Sequence, residues 1–421
     1  MRRRLWLLLL LYPALLLLAL LLYDGISSLW FGGKEKDDDW KPPPKLCPEL
    51  EPSLWDNLAE DEAAHSPLPS RTNIYIHATW RSGSSFLGEI FNQHPRVFYL
   101  YEPGWHIWQS LYPGDAGSLQ GAFRDLIASL FRCDFSALRL YVGGNLSTAG
   151  IFGWKSNKVI CSAPLCSSSG VQSTVGGGRE RVGLVNPMDC EQRCPGRPLR
   201  ELEEQCRRYP VMVIKDVRLM ELSALLPLIR DPGLNLRVVQ LFRDPRAVHN
   251  SRLRTKQSLL RESLQVMRSG LRRADPARYE QSKTLHRISA EYLMNGALEV
   301  ICQSWLEDLL LLRDPSMKWI RRRYLKIRYE DLVLKPRDEL DRLLRFVGLS
   351  AIPELQDFLV QMTRGPSNSN NQLFQVSARD AREVVGAWKK RLSTVQVRKV
   401  QDACGDVMAA LSYRDRRKGD R

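Results

Sequence analysis

The sequence predicts an α/β domain on a central, mainly parallel sheet, and three observations predict it. Four short apolar runs are bounded by breakers, as buried strands are: Ile74 to Ala78, Val97 to Tyr101, Val211 to Lys215 and Leu236 to Phe242. Helical patterns alternate with them, which is how a sheet acquires helices on its faces. Two of the runs lead straight into segments rich in arginine and hydroxyl side chains.

From the N-terminus, Arg2, Arg3 and Arg4 precede Leu5 to Tyr23, a stretch without one charge. As a helix it is roughly 28 Å long, the thickness of a bilayer core. It exceeds the apolar core of a cleaved signal peptide and ends in Tyr23-Asp24-Gly25-Ile26, with no small-x-small cleavage site. It therefore reads as an uncleaved signal-anchor over 5–23. Residues 1–4 are the cytoplasmic tail and everything after Tyr23 is lumenal or extracellular, because positive flanks stay inside. Residues 24–72 carry a charge run from Lys34 to Asp39, then Pro42-Pro43-Pro44 and Ser66-Pro67-Leu68-Pro69. Low apolar content and many prolines make this a stem. Regular structure is expected from Asn73, in a lumenal domain over 73–415.

Within that domain Ser85 to Gln93 puts Leu87, Ile90 and Phe91 on one helical face. Leu285 to Arg313 is the longest helical stretch, and Ser167 to Gly178 is a Ser/Gly-rich loop. Hydrophobic content of 44% and charged content of 26% suit a globular protein of 421 residues. There are nine cysteines, which favour disulfides in an oxidising lumen. Cys161 and Cys166, then Cys190 and Cys194, are spaced loosely like zinc ligands, but bridges tying a loop-rich insertion are the favoured reading. Nine is odd, so at least one thiol is free or pairs between chains, and Cys47, before the main domain, is a candidate for an intermolecular bridge and a homodimer. Asn145-Leu146-Ser147 is a glycosylation sequon.

The net charge is +15, from 62 basic and 47 acidic residues. In a lumenal protein this field suits a polyanionic nucleotide or an acidic polysaccharide, and no nucleic acid. The chemistry lies in two segments. Thr79-Trp80-Arg81-Ser82-Gly83-Ser84-Ser85 follows the first strand and opens a helix. A helix N-terminus offers free N–H groups and positive dipole character to an anion. Gly83 lets the backbone come close, the serines add hydroxyls and Ser84 or Ser85 can cap the helix. Arg81 supplies a cation where leaving-group charge develops. The absence of Gly-Lys-[Ser/Thr] disfavours a Mg-dependent NTPase or kinase-like phosphoryl transfer. The other segment, Arg243-Asp244-Pro245-Arg246-Ala247-Val248-His249-Asn250-Ser251, follows the fourth strand. Asp244 and Pro245 start a helix. Ser251 lies about two turns beyond Arg243, so the two can clamp a second phosphate.

With these two segments, Phe91-Asn92-Gln93-His94-Pro95, Tyr101-Glu102-Pro103, Ile214-Lys215-Asp216-Val217-Arg218, Arg328-Tyr329-Glu330-Asp331-Leu332 and Ala387-Trp388-Lys389-Lys390-Arg391 make the chain recognisable. It resembles the Golgi galactose/N-acetylgalactosamine/N-acetylglucosamine 6-O-sulfotransferase family from about Asn73 to Tyr413. The resemblance implies a single-pass type II Golgi glycoprotein with a P-loop-like sulfotransferase fold. It implies 3′-phosphoadenylyl sulfate (PAPS) as co-substrate and no metal. Thr79 to Ser85 are then expected to hold the 5′-phosphosulfate, and Arg243 to Ser251, chiefly those two, the 3′-phosphate. The acceptor is expected to be the 6-hydroxyl of N-acetylgalactosamine in chondroitin and/or of N-acetylglucosamine in glycans. Two departures stand out: Arg81 replaces the lysine of many cytosolic sulfotransferases, and Trp388-Lys389 only loosely resembles their final cofactor loop.

The attacking hydroxyl needs a base, and the assignment is Glu102, just past the second strand; its alternative is a salt-bridged carboxylate beside Pro103. His106 is the runner-up. His77 reads as a hydrogen-bonded core residue and His94 as a helix end. Lys215 and Arg218 are assigned to an acceptor carboxylate or sulfate, against a surface salt-bridge network. Glu330 reads as structural pairing. Arg268, Arg272 and Arg273 either track a polyanion or form a solvated face, and Trp105 and Trp108 either stack on sugars or fill core. The competing function is a membrane-tethered binder of acidic glycans without catalysis, which needs no paired anion clamps.

Overall fold

The computed structural model describes residues 71–144, 146–166, 182–274, 279, 289–365, 376–378 and 380–413. The signal-anchor, most of the stem, Cys47, Asn145 and the 167–178 loop lie outside the described residues. No helix among the described residues is long and apolar enough to cross a membrane.

Strands β1 (Thr72–His77), β2 (Val97–Tyr101), β3 (Val211–Asp216), β4 (Leu236–Phe242) and β5 (Tyr324–Arg328) form one sheet in the order β2-β3-β1-β4-β5, every neighbouring pair parallel. In the central strand β1, every residue from Asn73 to His77 is buried. Helices cover both faces, so such strands are apolar without alternation. β5 is the strand that the sequence reading left out. Its Tyr-Leu-Lys-Ile-Arg alternates at the sheet edge, and only Ile327 is buried, so no continuous apolar run marks it.

The helices that position the site are α1 (Ser84–Gln93), α2 (Trp105–Ser110), α3 (Pro187–Arg193), α4 (Leu199–Arg208), α5 (Pro245–Arg254), α6 (Leu260–Ala274), α7 (Ala290–Leu311), α8 (Tyr329–Leu334) and α9 (Thr394–Ala410). The helical stretch expected from Leu285 is seen as α7, capped by the Ser289 hydroxyl accepting from Tyr292 N. Residues 285–288 lie outside the described residues. Trp305 of α7 packs edge-on against Phe242 at 5.3 Å between centroids. Asp308 of α7 accepts hydrogen bonds from Gln240 Nε2 (2.7 Å) and Leu222 N (2.7 Å) and lies 3.0 Å from His77 Nε2. His77 is thus the hydrogen-bonded core residue expected, and His94 ends α1 as its C-cap.

Four disulfides join Cys133 to Cys206, Cys161 to Cys190, Cys166 to Cys194 and Cys302 to Cys404. The last ties α7 to α9. The middle two staple one insertion, so Cys161, Cys166, Cys190 and Cys194 are bridged rather than zinc ligands. Among the described residues no group of His, Cys, Asp or Glu is arranged to hold a metal ion.

Candidate active site

After β1 the chain crosses to β2 on one side, and β4 joins β1 on the other. The crevice at such a reversal, at the C-terminal strand ends, is where open α/β sheets bind ligands. Both anion segments open there.

In the loop after β1, Arg81 (φ 70°) and Gly83 (φ 96°) take left-handed backbone conformations. Ser82 is tied back to the Thr79 carbonyl by its hydroxyl at 2.8 Å and its N–H at 3.2 Å. The N-cap of α1 is Gly83, not the serine that the sequence suggested. Ser84 and Ser85 instead form the first turn, and no side chain caps the helix. Its leading N–H groups therefore have no intrahelical partner. A Cβ on Gly83 would lie 2.4 Å from the Tyr329 ring. The Thr79 hydroxyl is buried without a hydrogen-bond partner. A close-approach glycine, a bare helix start and an orphan hydroxyl fit a phosphosulfate group.

In the segment after β4, Asp244 caps α5, accepting from Arg246 N at 2.9 Å, with Pro245 in the first turn. The two segments meet directly. Arg81 Nε donates to Ser251 Oγ at 3.0 Å, and Arg243 Nη1 donates to the Arg81 carbonyl at 2.9 Å. Arg243 also lies 4.5 Å from the Tyr329 ring centroid. The rest of this segment is divided. Arg246 is engaged by Asp244 and lies 4.2 Å from the Trp388 ring centroid. Ala247 packs with Trp388, Val248 is core, and Asn250 is buried. His249 is buried with Nδ1 unpartnered, and burial with the charges of Arg252 and Lys399 pulls it down to about 4.

Glu102 (φ 46°) is buried beside the loop. It pairs with Lys215 Nζ through Oε1 and with Arg218 Nη1 through Oε2 at 2.8 Å. Burial alone would raise its carboxyl, but Lys215 and Arg218 outweigh burial and hold it at about 2. Asp216 accepts from Arg218 at 3.3 Å and from Gly104 N at 2.7 Å, and burial raises it. Lys215 and Arg218 are therefore members of a buried ion cluster rather than a surface network. This cluster adjoins the loop after β1: Arg218 lies 5.9 Å from the Trp80 ring centroid, and Lys215 4.4 Å from that of Tyr101. The Tyr101 hydroxyl is 3.2 Å from Ser85 Oγ. His106 accepts from Phe152 N at 3.1 Å, and burial with Arg218 lowers it to about 4.

Other readings resolve by packing. Glu330 accepts from Asp244 N (3.0 Å) and the Tyr413 hydroxyl (2.8 Å), a structural pairing as expected. Arg268 bonds the Pro113 carbonyl, Arg272 pairs with Asp115, and Arg273 pairs with Glu221 and Glu307. Trp108 is core against Trp80, while Trp105 is half-buried. Sequence reasoning missed Tyr329 as the wall behind Gly83 and Tyr101 as the partner of Ser85, since both contacts cross the fold.

The sulfotransferase-domain family profile matches residues 188–412. Carbohydrate sulfotransferase 7 of Mus musculus is 52% identical over 389 residues, covering 87% of this chain and 78% of that protein. Carbohydrate sulfotransferase 4 of Mus musculus is 35% identical over 362 residues, covering 86% of each. The switch-point crevice with two joined anion loops defines a group-transfer domain of the sulfotransferase fold. The chain belongs to the carbohydrate sulfotransferases.

Proposed function

We propose that the chain transfers a sulfuryl group from PAPS to the 6-hydroxyl of N-acetylgalactosamine in chondroitin and/or N-acetylglucosamine in glycans. The observation that carries this is the Arg81–Ser251 hydrogen bond, which joins segments 170 residues apart into one anion site. A ligand with phosphates at two positions suits two adjoining clamps. When bound, the donor supplies the activated sulfuryl group. Thr79 to Ser85 hold its 5′ end; Arg81 and the loop N–H groups offset charge on the departing phosphate. Arg243 and Ser251 hold the 3′-phosphate.

Glu102 is the base in this reading. Held near 2 it is a weak one, so its activation is tied to the acceptor. An acceptor carboxylate or sulfate that draws Lys215 and Arg218 to itself removes the charges that depress Glu102, and its proton affinity rises. The four disulfides suit a lumenal domain, and Leu5 to Tyr23 suits a type II anchor in the Golgi membrane.

The test supplies radiolabelled donor with chondroitin and with N-acetylglucosamine-terminated oligosaccharides. Label on carbon 6 is expected, with loss of about 100-fold or more in Arg81→Ala and in Glu102→Gln. A folded chain that binds glycan but neither binds nor uses the donor would instead be the glycan binder without catalysis.

A further inference from the structure

Beside Tyr101 opens a recess of about 410 Å³, lined by Trp105, His106, Phe152, Trp154, Lys155 and Pro187 among others. Trp105 and Phe152 stack at 4.7 Å with ring planes 8° apart, and Phe152 stacks on Tyr101 at 5.8 Å and 28°. The same Tyr101 reaches Ser85 of the donor loop. A continuous aromatic column thus runs from the donor loop to the recess.

The column is held from several directions. His106 accepts from Phe152 N, and Asn157 Nδ2 donates to the Tyr99 carbonyl at 2.6 Å. Gly153 (φ 76°) lies so close to Tyr101 that a Cβ would sit 2.7 Å from its ring. Trp154 packs on the cluster of Cys161, Cys166, Cys190 and Cys194, and Pro187 opens α3 between those bridges. The insertion therefore forms one wall of an open recess. Trp105, Phe152 and Trp154 nonetheless remain half-buried.

Half-buried aromatic planes with a few polar groups match a pyranose ring, whose C–H faces are flat and apolar and whose rim is hydroxylated. Lys155 adds an ammonium, paired with an exposed Glu191 that an acidic sugar can displace. Sheet order favours the acceptor over the donor's own adenine. The second anion segment lies on the β4 side of β1, whereas the recess lies off β2, at the opposite edge.

We propose that this recess is the acceptor subsite, taking a pyranose ring next to the sugar that is sulfated. The proposal rests on the carbohydrate sulfotransferase reading above.

The test uses the full chain, desulfated chondroitin hexasaccharide as acceptor, and 3′-phosphoadenosine 5′-phosphate to read the donor site by calorimetry. Trp105→Ala and Phe152→Ala are expected to raise KM for the hexasaccharide about tenfold or more. Nucleotide affinity stays unchanged, and Trp105→Phe recovers most of the loss. Lys155→Met, which removes no core packing, is expected to raise KM about threefold, more at low salt; it decides the matter if the aromatic variants do not fold. An unchanged KM in folded Trp105→Ala and in Lys155→Met overturns the proposal. So does a folded Trp105→Ala that loses nucleotide affinity, which would assign the recess to adenine. No transfer by the unaltered chain counts against the sulfotransferase reading alone. The recess is then judged by donor-free tryptophan fluorescence, where quenching by the hexasaccharide supports it and none overturns it.

Discussion

At the strand ends of β1 and β4, the anion groups come from two short segments that each carry their own geometry: a left-handed Arg81, a bare helix start behind Gly83, and an Asp-Pro start to α5. At the ends of β2 and β3, by contrast, the geometry rests on side chains brought together by packing. Glu102 is paired with Lys215 and Arg218, Phe152 stacks on Trp105 and Tyr101, and Trp154 packs on two disulfides. The first region uses backbone donors whose geometry is set within each short segment. The second buries charges that are tolerated only while paired. The difference shows in what each region can lose.

The largest effect is expected where pairing is broken. Glu102→Leu leaves Lys215 and Arg218 buried without their shared partner. It should destabilise the fold by about 3–5 kcal/mol, read by denaturant titration; a cost below about 1 kcal/mol would mean that water already reaches the cluster. Replacing Cys161 and Cys190 together by serine opens a bridge spanning 29 residues. The expected loss is about 3 kcal/mol in thermal unfolding, with nucleotide affinity preserved, because the bridge supports only the second region.

Gly83→Ala strikes the first region. The positive φ and the Tyr329 ring leave no room for a Cβ, so about 1–3 kcal/mol of strain is expected, together with weaker nucleotide binding.

The smallest effect is on pH dependence. Burial and neighbouring cations hold His106 and His249 at about 4, below the usual 6.5. The unfolded chain takes up these protons first, so stability is complete above pH 6.5 and falls as the pH drops toward 4. Glu89 partly opposes this. Burial raises it to about 7, so the folded chain binds its proton first and gains stability as the pH falls from 7 to 4.5. Thermal unfolding of Glu89→Gln should therefore fall off more steeply below pH 6.5 than that of the unaltered chain.

Legibility divided along the same line. β1 to β4 were readable because burial on both faces writes a continuous apolar run. β5 alternates at an edge and left no such mark. The segments after β1 and β4 are readable because each encodes its geometry within a few residues; even so, the cap of α1 is a left-handed Gly83 rather than the expected serine. That Arg81 bonds Ser251, that Tyr329 backs Gly83, and that Glu102 is locked between two cations are contacts across the fold. No local pattern carries them. Trp105 and Trp108 show this within a few residues: one stacks on Phe152 beside a recess and the other packs against Trp80 in the core, and both partners come from elsewhere in the chain.

The most direct measurement is a double-mutant cycle on nucleotide binding. Calorimetry with 3′-phosphoadenosine 5′-phosphate would compare the unaltered chain with Arg81→Ala, Ser251→Ala and the double variant. If the two segments form one donor site, each single change weakens binding, and the pair departs from additivity by about 0.5–3 kcal/mol. Strict additivity, or a folded chain that does not bind the nucleotide, would contradict the account.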